Sequence, residues 1–70
     1  MLEVGDRVKL NIEVIKNYIS FQPDKKENKY LARVIKYPDQ IYTIKKRYKV
    51  GLYDIGLKIE FSDYELIKIE

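Results

Sequence analysis

Apolar and polar residues alternate with a period of two near the start of the chain. Val8, Leu10, Ile12 and Val14 are interleaved with Arg7, Lys9, Asn11 and Glu13. Successive strand side chains point to opposite faces, so residues 7–14 are predicted to form a strand with one buried face. Gly5 provides a tight turn into it. A second alternating stretch covers residues 41–50. Tyr42, Ile44, Tyr48 and Val50 share one side, and Thr43, Lys45, Arg47 and Lys49 the other. Lys46 interrupts the apolar side, which marks a bulge or the point where the strand leaves the core. Leu57, Ile59 and Phe61 alternate with Lys58 and Glu60 and predict a further strand; Leu66, Ile67 and Ile69 predict a short last one. Gly51 and Gly56 are turn points on either side of Leu52-Tyr53-Asp54-Ile55.

Two stretches depart from this period. Tyr30, Leu31, Val34 and Ile35 form a helical stripe, with Lys29, Arg33 and Lys36 off it. Asp24-Lys25-Lys26-Glu27 has the spacing of a capping box, and Pro38 biases Tyr37 away from helix. A helix is predicted over residues 25–36. A strand is the competing reading, because Val34, Ile35 and Tyr37 favour sheets. Residues 16–22 contain Tyr18, Ile19 and Phe21 without a clear period. They read as a loop that packs aromatics over one end of the core, closed by Pro23-Asp24. Ser62-Asp63-Tyr64-Glu65 repeats the capping-box spacing before only a few residues and suits a single 3₁₀ turn. The expected fold is therefore mainly β: a small five-stranded barrel with one short helix inserted between strands 1 and 2, forming one domain over residues 1–70.

Composition narrows the chemistry. Of 70 residues, 46% are apolar and 36% charged, enough for a lean core and a soluble surface rather than disorder. There is no Cys and no His. Disulfides and thiolate zinc sites are excluded, and so are the commonest general base and the thiol nucleophile. The absence of cysteine fits a cytoplasmic protein. No apolar run reaches the roughly 18–20 residues of a membrane span, and the first residues have neither the basic nor the apolar region of an export signal. The three glycines, at positions 5, 51 and 56, form no phosphate cradle. Glu13, Glu60 and Asp63 read as solubilising residues rather than a catalytic pair. Neither catalysis, nor a cofactor, nor a metal is expected.

The net charge is +3 and unevenly spread. Residues 25–49 hold nine Lys or Arg against two acids, and residues 50–70 hold two Lys against five acids. The folded surface is expected to be polarised.

Three segments carry a resemblance. Val4-Gly5-Asp6-Arg7-Val8-Lys9-Leu10 resembles the first strand of KOW-type and Tudor-like SH3-like barrels, where a glycine-acid turn leads into alternating basic and apolar residues. Ile41-Tyr42-Thr43-Ile44-Lys45-Lys46 is similar to the second strand of small barrels carried by phages and other mobile elements. Residues 61–69 resemble their closing 3₁₀ turn and last strand. The resemblance implies an SH3-like barrel, a fold that binds RNA, DNA, peptides or proteins and serves some phages as a small accessory protein. The helix expected between the first two strands departs from the plain KOW pattern, so no ribosomal or transcriptional role is carried over.

Two binding surfaces follow from the residues. Ile19, Phe21 and Tyr30 exceed what so small a core needs and form a candidate protein-binding patch; the same residues serve equally as a cap over an open barrel end. Arg7, Lys9, Lys45, Arg47 and Lys49 are the candidate nucleic-acid contacts, provided that their strands are neighbours, with Arg33 and Lys36 extending them. The competing reading is a lysine-rich strand face that discourages edge pairing. Tyr18 and Tyr37 are the candidate stacking rings, whereas Tyr42, Tyr48, Tyr53 and Phe61 are expected inside. The expected function is a non-catalytic module that binds a protein partner, with nucleic-acid binding as the alternative.

Overall fold

A computed structural model describes residues 2–49 and 51–70. Strand β1, Arg7–Leu10, is only four residues long. From Ile12 the backbone is helical, and α1 runs Ile12–Phe21. The strand predicted over residues 7–14 is therefore half a strand, and the loop predicted over residues 16–22 is mostly helix. Side-chain direction explains the change. A strand that buried Ile12 and Val14 would turn Ile15 and Ile19 outward. A helix starting at Ile12 puts Ile12, Ile15 and Ile19 on one stripe. Ile15 is fully buried, and Ile12, Tyr18 and Ile19 pack against the core around it. Pro23 disfavours helix at the residue before it, and α1 ends with Gln22 at φ −138° and ψ 72°.

Helix α2, Lys26–Val34, lies within the span where a helix was expected and buries Leu31 and Asn28. Its N-cap is Lys25, with no side-chain cap, so the Asp24–Glu27 capping box does not form. Past Ile35 the chain turns through Tyr37-Pro38-Asp39 into β2, Tyr42–Thr43.

The strand predicted over residues 41–50 is split. β2 pairs antiparallel with β1, Arg7 opposite Thr43 and Val8 opposite Tyr42. Ile44 continues this contact through two backbone hydrogen bonds of 2.9 Å, to Asp6 and from Gly5. At Lys45 the chain changes partner, and its N–H donates to the Asp54 carbonyl at 2.7 Å. Strand β3, Lys46–Lys49, then pairs with β4, Leu52–Asp54. Val50 lies outside the described residues. Gly51 takes the turn between β3 and β4 at φ +83°, where a side chain would be strained.

Residues 57–59 form bends rather than the predicted strand; only Phe61–Ser62, β5, pairs with β4. Asp63–Glu65 makes the 3₁₀ turn, closed by a capping box between Ser62 and Glu65. Strand β6, Leu66–Lys68, pairs antiparallel with β1. The result is two three-stranded antiparallel sheets, β2-β1-β6 and β3-β4-β5, joined at Ile44–Lys45 and covered by two helices. The mainly β five-stranded SH3-like barrel does not form: the described strands do not close, and helix takes up residues that a barrel would need as strand. One core spans both sheets and both helices, with Val8, Ile15, Ile44, Tyr53 and Phe61 as its most buried side chains.

Candidate functional site

The two helices and the 3₁₀ turn enclose a groove of about 600 Å³. Leu31 of α2 and Ile59 supply apolar surface, and Tyr18, Phe21 and Tyr64 supply rings. Phe21 is 84% exposed at the last position of α1, and Tyr64 is 64% exposed at the middle of the 3₁₀ turn. The two ends of the groove are held together by side chains. Tyr18 Oη donates to Tyr64 Oη at 3.1 Å, and Asn11 Nδ2 donates to the Tyr64 carbonyl at 3.4 Å. Asn28, buried in α2, donates to the carbonyls of Tyr18 at 3.0 Å and Gln22 at 2.8 Å. The Tyr18 carbonyl also accepts the Gln22 N–H at 3.0 Å and the Gln22 carbonyl the Lys25 N–H at 3.2 Å, so Asn28 adds a second donor to each at the end of α1. Asn28 thus fixes the place at which Phe21 leaves the surface.

The groove is acidic on a basic chain. Three carboxylates, Glu27, Glu60 and Glu65, line it against the single ammonium of Lys25. The Glu65 carboxylate also accepts the Ser62 N–H at 2.6 Å. Burial, then the hydrogen bond with Tyr64, then the Glu65 carboxylate all push the Tyr18 phenol well above its usual pKa. Tyr18 therefore keeps its proton further into the alkaline range than a free phenol does.

Of the three residues predicted as a protein-binding patch, one lines this groove. Phe21 stands on its rim. Ile19 is half-buried and packs against the core. Tyr30 is engaged on the other side of α2: its hydroxyl accepts the Lys58 N–H at 3.1 Å, and the cations of Arg33 and Lys58 lie 5.9 and 5.7 Å from its ring centre. Ile59, Glu60, Tyr64 and Glu65 were missed, because they follow Phe21 by about forty residues and only the fold brings them close. Tyr64 had a local signal: it is the middle residue of a three-residue capped turn too short to bury it.

No family model, curated protein or solved structure matches this chain.

The five predicted nucleic-acid residues do not form one patch on neighbouring strands. Arg7 and Lys9 belong to β1 in one sheet, Arg47 and Lys49 to β3 in the other. Lys45 sits at the junction with its side chain over Gly56. β3 is an edge strand, and all four of its residues are exposed. Tyr48, expected inside, is 50% exposed, and Tyr42 is half-buried, whereas Tyr53 and Phe61 are core. Tyr37 is exposed and Tyr18 half-buried. Glu13, Glu60 and Asp63 are exposed on separate segments. Among the described residues, no group of three or more acids is gathered so as to hold a metal ion, and no helix is long and apolar enough to cross a membrane.

Proposed function

We propose that the protein is a non-catalytic binding module that takes a short segment of a protein partner into the groove between α1, α2 and the 3₁₀ turn. The observation that carries this reading is the exposure of Phe21 beside an apolar floor. Covering most of a phenylalanine ring contributes about 2–3 kcal/mol to an interface, and large aromatics in pockets dominate binding energies. The carboxylates of Glu27, Glu60 and Glu65 favour a segment that carries Lys or Arg next to an apolar anchor. Ile19 then acts indirectly by seating α1 on the core, and Tyr30 by holding α2 to Lys58. The non-catalytic part of the reading rests on the missing His and Cys. A cytoplasmic location goes with it, supported by a core that needs no disulfide.

Selection from a displayed library of random linear peptides tests the proposal. Peptides that pair an aromatic or long aliphatic residue with a basic one should be enriched. Phe21→Ala and Tyr64→Ala should each weaken the selected peptides about tenfold or more, with unfolding midpoints close to that of the parent protein. Absence of enrichment, or equal binding by Phe21→Ala, would count against it.

A further inference from the structure

We infer that the outer face of β3 is a contact site for single-stranded nucleic acid, with Tyr48 as the stacking ring and Lys46 and Lys49 as the phosphate contacts. The strand register places these three together. Lys46 is opposite Asp54 and Lys49 is opposite Leu52, while Arg47 is opposite the buried Tyr53. Cross-strand partners share a face, and Asp54 and Leu52, two apart on β4, share theirs. Lys46 and Lys49 therefore point the same way, although they are three residues apart. The irregularity between Arg47 and Lys49 makes this possible, since a regular strand would put them on opposite faces. The extra residue is Tyr48. Its hydroxyl donates to Asp54 Oδ2 at 3.4 Å, which sets it on that same outer face. Asp54 uses its other oxygen to accept the Gly56 N–H at 2.7 Å.

The surface that results is a half-exposed ring, tethered at its hydroxyl, between two exposed ammonium groups. Four of the five residues Lys45-Lys46-Arg47-Tyr48-Lys49 are cationic, a match for a polyanion. A base needs a free π-face to stack, which a strand offers and a duplex does not. The nearby carboxylates are Asp54, which is already engaged by Tyr48 and Gly56, and Glu60, which also lines the acidic groove; the four cations of residues 45–49 outnumber them. Lysines alone would protect an edge strand from pairing; that role does not account for a tyrosine displayed between them on the same face.

Fluorescence anisotropy with labelled oligo(dT) and oligo(U), single-stranded and annealed, tests the inference at 50 and 200 mM salt. Two or three phosphate contacts predict a loss of about 7- to 20-fold between these salts for the single strand. Tyr48→Ala should weaken binding about tenfold. Tyr48→Phe, which keeps the ring and loses the tether, should retain most of it. The double charge reversal Lys46→Glu/Lys49→Glu should abolish binding. Lys16→Glu/Lys29→Glu changes the net charge equally on the exposed helix surfaces and should retain measurable binding. The inference is overturned if no binding is seen at 50 mM salt, if duplex binds as tightly as single strand, if Tyr48→Ala binds like the parent, or if both double reversals lose equally. Unfolding midpoints of all variants verify that the fold is kept.

Discussion

Asn28, buried in α2, donates its side-chain N–H to the backbone carbonyl of Gln22 at the end of α1, at 2.8 Å. The same amide reaches the Tyr18 carbonyl at 3.0 Å, so one side chain ties α2 to two carbonyls at the end of α1, each of which also accepts a backbone N–H. Asn28→Ala removes both side-chain hydrogen bonds from a buried position and should cost about 2 kcal/mol, about 1 kcal/mol for each bond. In a domain of this size that corresponds to a fall in Tm of about 10 °C or more. Asn28→Asp should cost at least as much, because a carboxylate offers no N–H to those carbonyls. Thermal unfolding of the two variants checks both statements.

The two phenylalanines are expected to behave oppositely. Phe61 is 1% exposed within the core, and Phe61→Ala should lose about 3–5 kcal/mol through transfer and cavity effects. Phe21 makes little contact with its own chain, and Phe21→Ala should stay within about 0.5 kcal/mol of the parent. Urea unfolding decides the matter. A large destabilisation by Phe21→Ala would mean that the ring supports the fold rather than awaiting a partner.

Gly51 and Gly5 form a matched pair for separating backbone strain from crowding. Both have positive φ, +83° and +95°. A Cβ at Gly51 would approach the Asp63 carboxylate to 3.1 Å, whereas one at Gly5 meets nothing within 4 Å. Alanine at either site should cost about 1–2 kcal/mol for the left-handed conformation, and Gly51→Ala should cost more than Gly5→Ala. Gly51→Ala/Asp63→Ala should recover that excess, as read from the unfolding midpoints.

Alkaline pH should weaken the fold through its tyrosines. Burial raises the Tyr18 and Tyr42 phenols above their ordinary value of about 10. In the alkaline range the folded chain therefore keeps protons that the unfolded chain gives up. Stability from this source is complete below about pH 10 and is lost as the pH rises toward the folded values. Urea midpoints should be level between pH 7 and 9 and fall above 10. Tyr18→Phe should show a shallower fall, which separates the tyrosines from the lysines titrating in the same range. A profile unchanged by Tyr18→Phe would contradict this account.

Much of the local structure was readable from residue spacing. The first half of the opening strand, the helix around Leu31, the capped turn at Ser62–Glu65 and the strand after it all occur where their patterns placed them. Helix α1 was hidden by coincidence: Val8 to Val14 alternate strictly, although Ile12 belongs to a helical stripe that continues through Ile15 and Ile19. Period two and period 3.6 overlap over so few residues, and only the burial of Ile15 separates them. The long second strand failed for another reason. Ile44 keeps the alternation intact while the backbone changes partners beneath it, and no side-chain pattern records which strand a carbonyl faces. Lys46, expected to mark a bulge or the point where the strand leaves the core, pairs regularly with Asp54; the irregularity lies further on, between Arg47 and Lys49. At the candidate groove, Phe21 was identified as surplus to the core, but its neighbours across the groove come from the other end of the chain and were invisible to local spacing.

The pairing of β1 sets the order in which this protein is assembled. β1 is the middle strand of its sheet, and its partners lie at residues 42–43 and 66–68. During synthesis Val8 therefore waits for Lys68 to emerge from the ribosome before the sheet is complete. The helical hairpin of α1 and α2 has local contacts and can form much earlier, with the opening segment left unpaired beside it.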